Sequence, residues 1–310
     1  MSGQEQQEEH LDLHAPLRAY LEIADTFYLQ DRLDIALKVA HDAFEETGWP
    51  AGGWTELYNR ITCESDARDA STVRQVEGSL SVELGREAPP EVFENVSSAA
   101  LNARDRLRGL LNVQFARPAL ITVFLPDAPL DFISGPHGYV VHKLDLDKIC
   151  IPYECAASAS DCVEAMMHEF AHIAARELGG PDLPAWLNEG LATYLCWDVT
   201  QRGARESADA QAKGRELLSV DELEVAFATA SSPGSNLRVV RAAYYLSATF
   251  LEFWVERFGL NSVRDALERI GSGSDSQRAI SQSTGLPFRG LEREWRSLIQ
   301  RRFGWNQQPP

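Results

Sequence analysis

The sequence has few positively charged residues for its length. Its 310 residues include 29 lysines and arginines against 46 aspartates and glutamates, which gives a net charge of −17 at pH 7. Phosphate groups would be repelled by this charge, so we expect neither nucleic acid nor an anionic membrane as a partner. The acidity is typical of a solubility surface and identifies no substrate.

Long apolar runs are also missing. A membrane-spanning helix needs about 20 predominantly apolar residues, and the segments 121–125 and 249–258 are too short or carry charges. The segment Met1–His10 is rich in Gln and Glu and lacks the basic start and apolar run of a secretory signal. We therefore expect a soluble cytoplasmic protein.

Cysteine is sparse, and its spacing is not that of a zinc knuckle. The chain has five cysteines, and the neighbours Cys150, Cys155 and Cys162 form no CxxC pair. An odd number in a chain without a visible signal fits a reducing compartment. We interpret the cysteines as free thiols, with a structural metal site or a redox pair as the alternative.

Apolar periodicity predicts a helical N-terminal region at 16–88, after a disordered tail at 1–15. Two helices separated near Leu29–Asp31 form either one tetratricopeptide-like hairpin or an ordinary helical hairpin, which could contact a protein partner. Residues 54–84 are also predicted to be helical. Two prolines at 89 and 90 mark the boundary, because proline ends helices.

In the remaining domain, 89–305, the spacing of apolar residues changes from a helical to a strand period and back. A helix at 91–112 precedes strands predicted at 119–125, 139–142 and 148–152, and helices follow at 161–178, at 183–199 and through most of the C-terminal part. The predicted fold class is therefore α+β, mainly helical, with a small mixed sheet.

One motif carries chemistry: His168-Glu-Phe-Ala-His172, an HExxH pattern inside a strongly helical segment. Residues four apart project from nearly one face of a helix, so both imidazoles can bind one zinc ion. Glu169 can then take a proton from a zinc-activated water and pass it to the leaving amine.

A catalytic zinc needs a third protein ligand. Leu178 stands where one known pattern has a third histidine, Glu177 points away from the ligand face, and Asp182 would need a sharp chain reversal. Glu189 is the better candidate, because the loop at 179–183 can return the next helix antiparallel to the first.

The motif followed by Asn188-Glu-Gly-Leu-Ala192 resembles the gluzincin superfamily of zinc peptidases, distantly including the aminopeptidase-N type. Further similarity to its bacterial peptidase MA-like branch lies in Ala243-Tyr-Tyr-Leu-Ser247, Phe250, Arg257-Phe-Gly259, Thr284-Gly-Leu-Pro287 and Leu291-Glu-Arg-Glu-Trp295. The resemblance covers roughly residues 90–300.

The resemblance implies a zincin-like core with one catalytic zinc at His168, His172 and Glu189. It also implies a tyrosine that stabilises the oxyanion, at Tyr244 or alternatively at its neighbour Tyr245. The Gly-Ala-Met-Glu-Asn element with which aminopeptidases hold a free N-terminus does not occur upstream of His168.

Supporting roles are predicted less directly. Thr193 and Glu164 are candidates for orienting the imidazoles. The segment Lys148–Pro152 is either an edge strand that pairs with an extended peptide or a purely structural strand. His137 and His142 are interpreted as surface or packing residues.

These features predict a zinc metallopeptidase acting on peptides or proteins. Two alternatives remain: a gluzincin-like interaction protein without turnover, and a zinc hydrolase of a non-peptide amide or ester.

Overall fold

The computed structural model describes residues 15–47, 53–130, 138–199, 217–230 and 236–303. Three helices come first: α1 (Ala15–Leu29), α2 (Leu33–Thr47) and α3 (Gly53–Ala70). α1 and α2 pack as a hairpin through buried apolar residues that include Leu21, Ala24, Ala40 and Phe44. The predicted pair of helices is confirmed, whereas a tetratricopeptide relationship stays a prediction. Nearly all of the predicted disordered tail lies outside the described residues.

A mixed sheet of five strands follows the helices. The strands are β1 (Ser71–Glu77), β2 (Leu80–Gly85), β3 (Ala119–Val123), β4 (Tyr139–His142) and β5 (Asp147–Ile151). Their order is β1-β2-β3-β5-β4. The three inner strands are parallel to one another, and each outer strand is antiparallel to its neighbour.

The helix predicted over 54–84 is wrong beyond residue 70. Residues 71–85 form β1 and β2, joined by a turn at Gly78, whose φ of 55° favours glycine. The alternation of Leu80, Val82 and Leu84, all buried, is the period of a strand rather than of a helix. The sheet therefore crosses the boundary predicted at the two prolines, while the division into domains itself stays a prediction.

Of the two interpretations of Lys148–Pro152, the edge strand is wrong, and the purely structural strand remains. β5 lies between β3 and β4, with Ile149 paired to Ile121 on one side and to Val140 on the other. The short connection from His142 to Asp147 folds β4 back onto β5, and β4 therefore takes the edge position.

Nine further helices complete the described chain. They are α4 (Pro90–Leu111), α5 (Tyr153–Ala157), α6 (Ala159–Gly179), α7 (Ala185–Val199), α8 (Val220–Ala228), α9 (Leu237–Phe258), α10 (Leu260–Gly271), α11 (Ser276–Thr284) and α12 (Phe288–Phe303). α6 packs between α4 and α7, and α7 packs in turn against α9. One apolar core runs from β2 to α12 and includes the buried rings of Trp254 and Trp295.

The predicted fold class, mainly helical α+β with a small mixed sheet, is confirmed. All five cysteines lie in the described part of the chain, where they are buried and form no disulfide bond, as expected of thiols. No helix among the described residues is long and apolar enough to cross a lipid bilayer.

Candidate metal centre

Helix α6 presents the HExxH residues. Ser158 caps its first turn by accepting a hydrogen bond from the Asp161 N–H. The helix ends at Gly179, and the following Gly180, with a φ of 76°, lets the chain leave the helical path. Between these ends, His168 and His172 lie one turn apart with ring centroids separated by 4.7 Å.

Helix α7 brings Glu189 to the two histidines. Its Oε2 atom lies 3.5 Å from Nε2 of His168 and 3.6 Å from Nε2 of His172. One donor atom from each of the three residues lies within 4.8 Å of the other two. The return of the chain after Gly180 therefore gathers the three predicted ligands; that they hold zinc stays a prediction.

The three side chains fit a zinc ion by their chemistry and spacing. Oε2 of Glu189 is buried and has no hydrogen-bond partner of normal geometry, a costly state that a bound cation would relieve. Two imidazoles and one carboxylate form a donor set that zinc commonly takes in catalytic sites. Tetrahedral zinc bonds of about 2.0–2.1 Å place ligand atoms about 3.3 Å apart, close to the two Nε2–Oε2 distances.

His168 and Glu189 both have a shifted pKa. Burial lowers the pKa of His168, but the hydrogen bond to Cys196 and the nearby carboxylate of Glu189 outweigh burial and raise it well above its usual value. Burial raises the pKa of Glu189, but His172 and His168 outweigh burial and lower it. Without a metal the site therefore favours imidazolium beside carboxylate, and a bound cation would displace that proton.

The outer nitrogen of His172 has a partner that sequence reasoning missed. Its Nδ1 lies 3.0 Å from Oδ1 of Asn188. An amide oxygen accepts from an Nδ1–H, which leaves the Nε2 lone pair free for a metal. The sequence holds one signal for this contact: Asn188 directly precedes the candidate ligand Glu189.

His168 has a different neighbour, Cys196 on α7, for which the sequence predicts no role at the site. The imidazole and the thiol are hydrogen-bonded, and the Cys196 sulfur donates to the backbone oxygen of Glu164 over 3.5 Å. Glu164 thus contributes its backbone carbonyl to this cluster. Thr193 lies half-buried on α7, one turn beyond Glu189, and its role stays a prediction.

Glu169 and the two candidate tyrosines lie on different helices. Glu169 is on α6 between the histidines and is only 2% exposed. On α9, the half-buried Tyr244 packs edge-to-face on Phe227, and the buried Tyr245 packs on Trp197. These contacts do not distinguish the two tyrosines as oxyanion donors, so Tyr244 stays a prediction.

α9 approaches the metal centre closely because α7 has a glycine at the contact. A Cβ atom on Gly190 would lie 2.9 Å from both the Cβ and the backbone oxygen of Ser247. Gly190 directly follows Glu189, and Ser247 lies one turn beyond Tyr244. The glycine therefore sets the distance between the helix that carries the third candidate ligand and the helix that carries the tyrosines.

Comparison with known proteins agrees with this geometry. No curated protein matches the chain. A family model described as the Peptidase MA superfamily matches residues 137–301, just over half of the sequence. The match spans β4, the HExxH helix α6, helix α7 with Glu189 and helix α9 with the two tyrosines. With three zinc-type donors gathered inside the matched segment, the chain belongs to the Peptidase MA superfamily.

Proposed function

We propose that this protein is a zinc-dependent peptidase of the gluzincin type. The observation that carries the proposal is the approach of one buried carboxylate oxygen, Oε2 of Glu189, to the Nε2 atoms of His168 and His172. Glu169 stands buried in the same helix as the histidines. Family membership supports a peptidase, and the donor set supports zinc.

The candidate ligands and Glu169 would have different roles in peptide hydrolysis. Held by His168, His172 and Glu189, a zinc ion would leave one position open for a water molecule and lower its pKa to about 7. Glu169 accepts a proton from the attacking water and donates it to the leaving amine. Its burial favours this role, because bulk water does not compete for the proton.

Two further elements would position the substrate. Among the described residues β4 is the edge strand of the sheet, the position where an extended peptide could add through backbone hydrogen bonds. The phenol of Tyr244 would donate a hydrogen bond to the oxygen of the attacked carbonyl as negative charge develops there.

The test compares the native protein with Glu169→Gln, using Glu177→Gln as a matched control. Glu177 is an exposed carboxylate on the same helix. We expect one zinc per chain in all three proteins, cleavage of a peptide library by the native protein and the control, and loss of at least about 10²-fold in the Glu169 variant.

Four outcomes would contradict the proposal. If the native protein did not bind stoichiometric zinc, the proposed zinc-dependent function would be excluded. Zinc binding without any turnover would favour an interaction protein, and cleavage of esters or non-peptide amides alone would favour another hydrolase. Equal activity of Glu169→Gln and the native protein would exclude Glu169 as the general base.

A further inference from the structure

Cys196 lies beside the candidate zinc ligands without being one of them. It is on α7, 4% exposed, and its thiol is hydrogen-bonded to the imidazole of His168. The group of described residues that could share one ion consists of His168, His172 and Glu189 and does not include Cys196. The sulfur therefore contacts a ligand from outside the cluster.

The orientation of the His168 ring indicates which of its nitrogens Cys196 contacts. Nε2 of His168 faces Oε2 of Glu189 at 3.5 Å. The other histidine has the same arrangement, with Nε2 towards Glu189 and Nδ1 at 3.0 Å from Asn188. By analogy, the hydrogen bond between His168 and Cys196 is assigned to Nδ1 of His168, since Nε2 faces Glu189.

The protons in this chain of contacts can be assigned. A thiol has one hydrogen, and the Cys196 sulfur donates it to the backbone oxygen of Glu164 over 3.5 Å. The sulfur can then only accept from the imidazole, so Nδ1 of His168 carries a proton. A bound cation would displace the remaining proton from Nε2 and use the lone pair of that nitrogen.

We propose that Cys196 is a positioning residue for His168: its sulfur accepts the Nδ1–H and holds the imidazole in the orientation and tautomer that bind zinc. This inference rests on the proposed zinc function. It assigns unlike partners to the two histidines, an amide oxygen at His172 and a thiol sulfur at His168.

A purely packing role for Cys196 makes a different prediction. If the sulfur only fills space, serine and alanine in its place would perturb the site in proportion to the lost volume. If the sulfur acts as an acceptor, serine keeps the function and alanine loses it, although serine is the more polar replacement in a buried position.

The experiment measures zinc affinity by chelator competition, and the visible absorption of the Co²⁺-substituted protein, in the native chain and three variants. Cys196→Ala should bind zinc about 10–100-fold more weakly and alter the Co²⁺ spectrum. Cys196→Ser should stay within a few-fold of the native protein. Cys162→Ala, which removes another buried thiol of the same protein on α6, should match the native protein.

Circular dichroism establishes that each variant is folded before the comparison. Native zinc affinity and an unchanged Co²⁺ spectrum in Cys196→Ala would overturn the inference, as would a serine variant no better than alanine. If the native chain itself bound no zinc, the proposed function would fail together with this role. If the native chain binds zinc and Cys196→Ala equals it, the positioning role alone fails.

Discussion

Glu64 and Lys148 form an ion pair of 2.9 Å in which neither side chain is exposed to solvent. Glu64 lies on α3 and Lys148 on the inner strand β5, so the pair joins the N-terminal helices to the sheet. Glu64 also accepts hydrogen bonds from the hydroxyl groups of Tyr28 and Tyr139. Lys143 is a second buried ammonium group, 3.4 Å from Glu64.

Breaking this pair should destabilise the fold strongly. Glu64→Gln would leave the buried ammonium of Lys148 without its nearest opposite charge, and we expect a loss of about 3–5 kcal/mol in the free energy of unfolding. Arg264→Ala is the control, because it breaks a partly exposed pair with Glu268 on α10 and should cost less than about 1 kcal/mol.

Urea unfolding followed by circular dichroism measures both changes. The double variant Glu64→Gln/Lys148→Met should recover part of the loss, since it removes both charges together. A Glu64→Gln variant as stable as the Arg264 control would show that the buried pair does not contribute in this way.

The same carboxylate predicts an acid dependence of stability. Burial raises the pKa of Glu64, but the ammonium groups of Lys148 and Lys143 outweigh burial and lower it from 4.5 to about 2. The unfolded chain therefore takes up this proton at a higher pH than the folded chain. The resulting stability is complete above about pH 5 and is lost as the pH falls towards 2, with a slope of up to about 1.4 kcal/mol per pH unit.

Unfolding of the metal-free protein at several pH values between 5.5 and 2.5 measures this slope. Because other carboxylates titrate in the same range, the informative quantity is the difference between the native protein and Glu64→Gln, which lacks the group. We expect the difference in unfolding free energy to shrink as the pH falls. A constant difference would mean that the pKa of Glu64 is not lowered by folding.

What could be predicted from the sequence depends on how local the signal is. The spacing of His168 and His172 is a property of one helix, and Glu189 follows after a single loop, so their meeting could be predicted. The burial of Lys148 could not be predicted, because it depends on the ion pair with Glu64. Glu64 lies on α3, far from Lys148 in the sequence. The strand β1 was missed because most of its side chains are exposed and show no apolar alternation.

The partners of the histidines illustrate the same limit at a finer scale. Asn188 is next to Glu189 in sequence, but only the fold shows that its amide reaches His172. Cys196 reaches His168 because α7 lies antiparallel to α6. A lone cysteine in a helix contains no signal of that contact.

The close contact between α7 and α9 gives a third prediction. In Gly190→Ala the new methyl group would lie 2.9 Å from Ser247, so α9 must shift, and we expect a loss of about 1–3 kcal/mol in unfolding free energy together with reduced peptidase activity. Gly109→Ala on α4 is the matched control, because nothing lies within 4 Å of its Cβ position.

The control substitution should be neutral or should stabilise the protein by up to about 1 kcal/mol, since alanine favours a helix over glycine. Thermal unfolding and activity measured on both variants separate the effects. Equal stability and activity of the two alanine variants would show that the α7–α9 distance can relax without consequence.

The two neighbouring tyrosines of α9 give the last prediction. Tyr244→Phe and Tyr245→Phe each remove one hydroxyl and keep the ring that packs on Phe227 or Trp197, so neither should unfold the protein. If the phenol of Tyr244 stabilises the developing oxyanion, Tyr244→Phe should lower kcat by about 10²–10³-fold while zinc content is unchanged. Tyr245→Phe should then keep most of kcat. The reverse pattern would assign the oxyanion role to Tyr245. Two fully active variants would show that neither phenol donates a hydrogen bond in the transition state, because removing a bond made only in the transition state lowers kcat.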